Sequence, residues 1–182
     1  MKQVETINGA ELKEMLTTAT GWLEKSASDI DALNVFPVPD GDTGTNMLLT
    51  MRSSIDEANQ TADSSAAGVA QAIARGALLG ARGNSGVILS QIWRGIAEGL
   101  KEKPSFNGAD FAEAMRQASV TAYKGISNPV EGTILTVAKD AAEAGQAQVA
   151  KGDTDLLSVL EAITLAGGFS QDTGLGTLGL IA

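Results

Sequence analysis

Two carboxylates one residue apart, Asp40 and Asp42, lie in the stretch Asn34-Val35-Phe36-Pro37-Val38-Pro39-Asp40-Gly41-Asp42-Thr43-Gly44-Thr45-Asn46. Pro37 and Pro39 exclude a helix on their side and bias their predecessors towards extended backbone. Gly41 and Gly44 permit backbone angles that other residues resist. From Met47 onward the pattern is helical. Thr43, Thr45 and Asn46, with Gly44 among them, therefore fall at a helix start, where amides and the positive dipole end attract anions. Hard oxygen donors beside such a start suit a divalent cation carrying phosphates. The chemistry implied is a metal–nucleotide site.

An Asp-Gly-Asp string alone is also an ordinary solvated turn. The length of the stretch, its two prolines and a second small-residue loop raise it above that. An EF-hand is excluded, because the sixth position from Asp40 is Thr45 and the twelfth is Met51. No G-x-x-x-x-G-K-[ST] string occurs, which excludes a P-loop. The second loop, Gly80-Ala81-Arg82-Gly83-Asn84-Ser85-Gly86, precedes the helical run Val87 to about Leu100. Its small residues allow close approach to a ligand, and Ser85 offers a hydroxyl and an amide together. Taken alone, it is equally common punctuation between helices, and Arg82 either reaches a phosphate or is solvated. A third polar helix start, Gly132-Thr133, follows Ser127-Asn128-Pro129-Val130-Glu131.

Composition narrows the field. The chain has 182 residues, enough for one domain with a real core. Hydrophobic residues make up 43% and aromatics only 4%, which favours helices packed through small residues. A net charge of −9 disfavours nucleic acid as a partner. The absence of cysteine removes disulfides and thiolate metal sites. The absence of histidine removes the commonest general base, Ser-His-Asp catalysis and the usual zinc ligand. The amino terminus carries no signal-like apolar segment and no apolar run reaches 18 residues, so a cytoplasmic protein without a membrane span is the expectation.

Hydrophobic spacing predicts the elements that position these loops. One amphipathic helix runs from about Asn8 to Leu33, with Leu12, Leu16, Trp22, Leu23, Ile30 and Leu33 on the core face. A second covers Met47 to about Ala58, and a third, capped near Asp63-Ser64-Ser65, runs to about Leu79. After the run from Val87, Asn107 caps a fifth helix, Gly132-Thr133 opens a sixth and Asp153-Thr154 a seventh. Short connectors imply antiparallel neighbours, and the fold class is all-α. Gly167 to Ala182, glycine-spaced and apolar at its end, is expected to lie outside a helix and reads as atypical or truncated.

With these segments in place, the chain resembles the DAK2 (dihydroxyacetone kinase L-subunit-like) domain family. It is most similar to the amino-terminal ATP-binding domain of bacterial fatty acid kinase catalytic subunits. Three motifs carry the resemblance, over about Met1 to Leu165: Asn34 to Met47, Gly80 to Gln91, and Pro129 to Val137. The resemblance implies a single domain, an antiparallel barrel of about eight helices with ADP or ATP at one end. It implies Asp40 and Asp42 as the catalytic acids and ligands of two Mg²⁺ ions, with Asn34 as a further ligand. Thr43, Gly44, Thr45, Asn46, Gly83, Asn84, Ser85 and Gly86 would line the phosphates, and Gly132 and Thr133 the base.

Two departures from the family pattern matter. Thr43 stands where the dihydroxyacetone kinase L subunit has a histidine, which favours the fatty acid kinase branch. The late arginine of relatives has no counterpart after Arg116, although Gln171-Asp172-Thr173-Gly174 echoes the Asp-x-Gly turn that follows it. Without a histidine base, a carboxylate acceptor is the natural substrate, since carboxyl groups titrate near pH ~4 and are already ionised. The expectation is an ATP- and Mg²⁺-dependent kinase domain acting on a fatty acid presented by a DegV-like binding protein. The alternatives are a dihydroxyacetone kinase L-like subunit and a nucleotide-binding domain without transfer. Lacking the family's downstream domains, an acidic barrel would also expose a surface on which two copies could pair.

Overall fold

The computed structural model describes the backbone of residues 4–172 and the side chains of residues 4–167. Seven helices follow in order: α1 (Gly9–Leu33), α2 (Thr43–Gln60), α3 (Ala66–Gly80), α4 (Gly83–Gly99), α5 (Gly108–Gly125), α6 (Ile134–Ala150) and α7 (Leu156–Asp172). Two short strands, β1 (Ile7–Asn8) and β2 (Ser105–Phe106), pair antiparallel, with Ile7 opposite Phe106. The all-α expectation holds, with seven helices among the described residues where the resemblance implied about eight.

Each helix packs on the next, and α7 also reaches α5. Short links set neighbours antiparallel. The chain's beginning is tied to the start of α7, where Val4 N donates to Asp155 Oδ2 at 3.0 Å and Leu156 N donates to Val4 O at 3.3 Å. Val69, Ile73, Leu100, Phe106, Leu135 and Leu156 are among the most deeply buried side chains.

The first helix buries Leu12, Leu16, Leu23, Ala27 and Ile30. Trp22 and Leu33, expected on that face, are 61% and 57% exposed. Leu23 holds the stripe, and adjacent residues on a helix are about 100° apart, which turns Trp22 outward. Its ring instead lies under the Lys25 ammonium, 5.5 Å from the centroid.

Two helix starts differ from the expected ones. The second helix begins at Thr43 rather than Met47, and the fourth at Gly83 rather than Val87. The added turns lack apolar periodicity and are held by tertiary contacts instead. The stretch from Gly167 also departs from expectation, because α7 continues through Asp172. Extending an existing helix adds one hydrogen bond per residue fixed, and a Cβ at Gly167 would meet only an ordinary contact with Val137. Residues 173–182, including Thr173 and Gly174 of the echoed turn, lie outside the described residues.

Helices α4 and α5 approach closely. A Cβ on Gly95 would collide with the Ala118 backbone, and one on Gly99 would stand 2.5 Å from Ala114 Cα. Gly95→Ala should therefore lower the urea midpoint. Overpacking costs about 1–3 kcal/mol, against the roughly 1 kcal/mol by which alanine is the better helix former. A raised midpoint would show that α4 and α5 stand further apart.

Candidate functional site

Helix starts leave amides that must find acceptors. Asn8, Ser65, Asn107 and Thr133 each accept an amide of the helix they cap, and Asp155 accepts those of Leu157 and Ser158 in α7. The N-cap residues of α2 and α4, Asp42 and Arg82, make no such side-chain bond. These two starts border one cavity of about 350 Å³, lined on its polar side by Asp40, Asp42, Thr43, Asn84 and Ser85.

At α2 the acceptor comes from the last turn of α1. Asp31 Oδ1 accepts from Gly44 N at 2.7 Å and Thr45 N at 3.1 Å, and Oδ2 accepts from Thr45 Oγ1 at 2.6 Å. Gly44 is buried because the helix crosses α1 closely; a Cβ there would collide with the Ala27 carbonyl. The loop ahead of α2 is pinned by Asn34, only 6% exposed. Its Nδ2 donates to Val38 O at 3.0 Å, and its Oδ1 accepts from Asp42 N at 3.3 Å. The Phe36–Pro37 peptide bond within this loop is cis.

At α4 the anchor is Thr50 of α2, fully buried, whose Oγ1 donates to Asn46 O at 2.8 Å and accepts from Arg82 N at 3.3 Å. Gly83, with φ +57°, lies so close to the Asn46 side chain that a Cβ would strike it, and a Cβ on Gly86 would strike Thr50 Oγ1. Only glycine takes that backbone angle without strain. Ser85 Oγ donates to Thr43 Oγ1 at 3.4 Å, joining the two helix starts. Among the described residues, no acceptor reaches the amides of Gly83, Asn84 and Ser85.

The rest of the lining is largely apolar and includes Phe36, Val38, Ile126, Val130, Ile134 and Leu135. Its edge is set by the turn before α6. Glu131 accepts from Tyr123 OH at 3.1 Å and Thr136 Oγ1 at 2.8 Å, while Thr136 Oγ1 accepts from Gly132 N at 2.8 Å. The hydrogen bonds from Thr136 and then Tyr123 hold the Glu131 carboxyl below its ordinary range. Burial, and then the Glu131 bond, push the Tyr123 hydroxyl above its own, so it stays a donor.

This cavity is built from the three sequence motifs, and a DAK2 domain model matches residues 37–169. The chain belongs to the DAK2 domain family. Protein YloV of Bacillus subtilis is 46% identical over 161 residues, covering 88% of this chain and 29% of the relative. An uncharacterized protein of Staphylococcus aureus is 42% identical over 160 residues, again 88% of this chain and 29% of its own length. The chain thus spans under a third of these relatives. The family is kinase-related, and its dihydroxyacetone kinase L-like members bind ADP or ATP.

Of the residues singled out in the sequence, the DAK2 fold brings Asn34, Asp40, Asp42, Thr43, Asn84, Ser85 and Thr133 to the cavity lining. Gly44, Thr45, Asn46, Gly83, Gly86 and Gly132 are not among its lining residues. The amides of Gly44 and Thr45, expected to meet a ligand, are taken by Asp31. That residue went unnoticed because its partners are distant in sequence and it sits on an ordinary helical stretch.

Among the described residues, the cavity lining carries two carboxylates and no Lys or Arg. Among the described residues, no three His, Cys, Asp or Glu side chains gather for a metal ion. Magnesium is commonly held by one or two carboxylates and completes its shell with phosphates and water. Asp40 and Asp42 therefore fit a metal that arrives with a nucleotide. No helix among the described residues is long and apolar enough to cross a membrane.

Two outcomes follow from these bonds. Asn34→Ala should cost about 0.5–1.5 kcal/mol for each of the two part-buried hydrogen bonds lost, read by urea unfolding; an unchanged midpoint would mean the loop is held otherwise. A group with a depressed folded pKa stabilises above its unfolded value and loses that contribution as pH falls. Protection of the Gly132 amide from hydrogen exchange should therefore drop, relative to global stability, below the ordinary glutamate pKa of 4.5. Glu131→Gln should reproduce the drop at neutral pH. Undiminished protection in that variant would remove Glu131 from the account.

Proposed function

We propose that this DAK2 domain binds ATP as its magnesium complex, as two ions, and transfers the γ-phosphate to a fatty acid carboxylate presented by a DegV-like binding protein. The observation that carries the reading is electrostatic. A helix start whose first amides, at Gly83, Asn84 and Ser85, are unclaimed borders a cavity that carries Asp40 and Asp42 and, among the described residues, no Lys or Arg. A polyphosphate would be repelled by the carboxylates unless a divalent cation lay between them. The α4 amides and the Ser85 hydroxyl would hold phosphate oxygens, as helix starts do. The apolar wall beside Thr133 suits a purine face.

Phosphoryl transfer asks the protein chiefly for positioning and charge neutralisation. Magnesium, when held by Asp40 and Asp42, would supply the neutralising charge. Thr43 and Ser85 would orient the phosphates, and α4's amides would stabilise the oxygens that gain charge. The acceptor carboxylate oxygen attacks the γ-phosphorus, the bond to the bridging oxygen breaks, and ADP leaves. No proton has to be removed, in keeping with a chain that contains no histidine. The exposed Val35, Phe36 and Val38 beside the cavity favour an apolar acceptor over a triose.

Calorimetric titration tests the binding half. ATP should bind with Mg²⁺, and affinity should fall roughly tenfold or more, about 1.4 kcal/mol or greater, with EDTA or in Asp40→Ala/Asp42→Ala. Metal-independent binding, or binding retained in the folded double variant, would overturn the site. Phosphate transfer from labelled ATP to a fatty acid, dependent on a DegV-like protein, tests the acceptor. Binding without transfer to any acceptor would favour a purely nucleotide-binding domain.

A further inference from the structure

Asp42 occupies the N-cap of α2, the position from which an aspartate ordinarily accepts the next turn's amides. It makes no such bond. The donors it would use, Gly44 N and Thr45 N, are held by Asp31 Oδ1, and Asp31 Oδ2 takes the Thr45 hydroxyl. Two carboxylates thus compete for one set of donors, and the one from α1 holds them. The backbone amide of Asp42 is meanwhile fixed by Asn34 at 3.3 Å, so its main chain stays in place whichever way its side chain turns.

We propose that Asp31 is a positioning residue for the cation site. By filling the start of α2, it denies Asp42 an intrahelical partner and keeps that carboxylate in the cavity beside Asp40. A direct ligand role for Asp31 does not fit, because both its oxygens are engaged and it is not part of the cavity lining. Asp31 also supplies the negative charge that the α2 dipole favours. Asp42 is thereby released from capping and is available to a metal. This inference rests on reading the cavity as a divalent-cation nucleotide site.

The experiment compares wild type, Asp31→Ala, Asp31→Asn, Asp42→Ala and Asp31→Ala/Asp42→Ala. The first readout is the Mg²⁺ concentration giving half-maximal ADP binding. It should rise roughly tenfold in Asp31→Ala, where Asp42 is drawn to the vacated amides at a cost of about 1.4 kcal/mol to the metal site. ADP affinity at saturating Mg²⁺ should change little. Asp31→Asn, which keeps one acceptor oxygen, should fall between the two.

The second readout is the melting temperature without ligand. Asp31→Ala alone and Asp42→Ala alone should each change it little, since Asp42 substitutes for the lost cap. The double variant should lose about 2–4 °C, the shift expected from one lost cap in a domain of this size. An Asp31→Ala variant that takes the full melting loss with unchanged Mg²⁺ dependence would overturn the proposal, leaving Asp31 a structural cap. If wild type shows no Mg²⁺-dependent ADP binding, the cavity reading fails and the cation role falls with it. The melting cycle then still shows whether the two carboxylates compete.

Discussion

The Asp31 carboxylate on the first amides of α2 is the contact on which the geometry of the cavity depends. Every helix start must satisfy its amides, and most starts here do so with a residue of their own chain segment. The α2 start borrows its acceptor from the end of α1. That bond closes the link between the two helices and places Asp42 at a helix start without employing it, while at the neighbouring start of α4 the amides of Gly83, Asn84 and Ser85 find no acceptor among the described residues. The two carboxylates and the α4 start thus border one cavity, joined by the Ser85–Thr43 hydroxyl contact.

Small residues make that juxtaposition sterically possible. Gly44 lets α2 lie on the α1 backbone, and Gly83 and Gly86 let α4 lie on Asn46 and Thr50. Any Cβ at these positions would move one helix start away from the other. The same device recurs where Gly95 and Gly99 seat α4 on α5, which supports the other side of the cavity through Ile126. A low aromatic content is the compositional trace of this packing.

Most of the fold was legible because apolar spacing and caps agreed: Asn8, Ser65, Asn107 and Thr133 each stand at a helix start that the sequence marks. The motif residues were legible as types, and the cavity gathers Asp40, Asp42, Asn84 and Ser85 as their chemistry suggests. What could not be read was which amides were already taken. Thr43 to Asn46 looks like an open helix start until Asp31 arrives from a segment thirteen residues away, counting to Gly44. The resemblance offers Asn34 as a metal ligand; that its side chain also holds Val38 O and Asp42 N could not be read there. Trp22 fell one residue off a stripe whose true line was set by packing on α2 and α3.

The division of labour between the two helix starts is the centre of this account, and backbone amide NMR during titration with Mg²⁺ and ADP measures it directly. The account predicts that the Gly83, Asn84 and Ser85 amides shift strongly, together with residues around Asp40 and Asp42. The Gly44 and Thr45 amides, held by Asp31, should move far less. Large shifts and lost protection at Gly44 and Thr45, with α4 unmoved, would place the phosphates on α2 and contradict it.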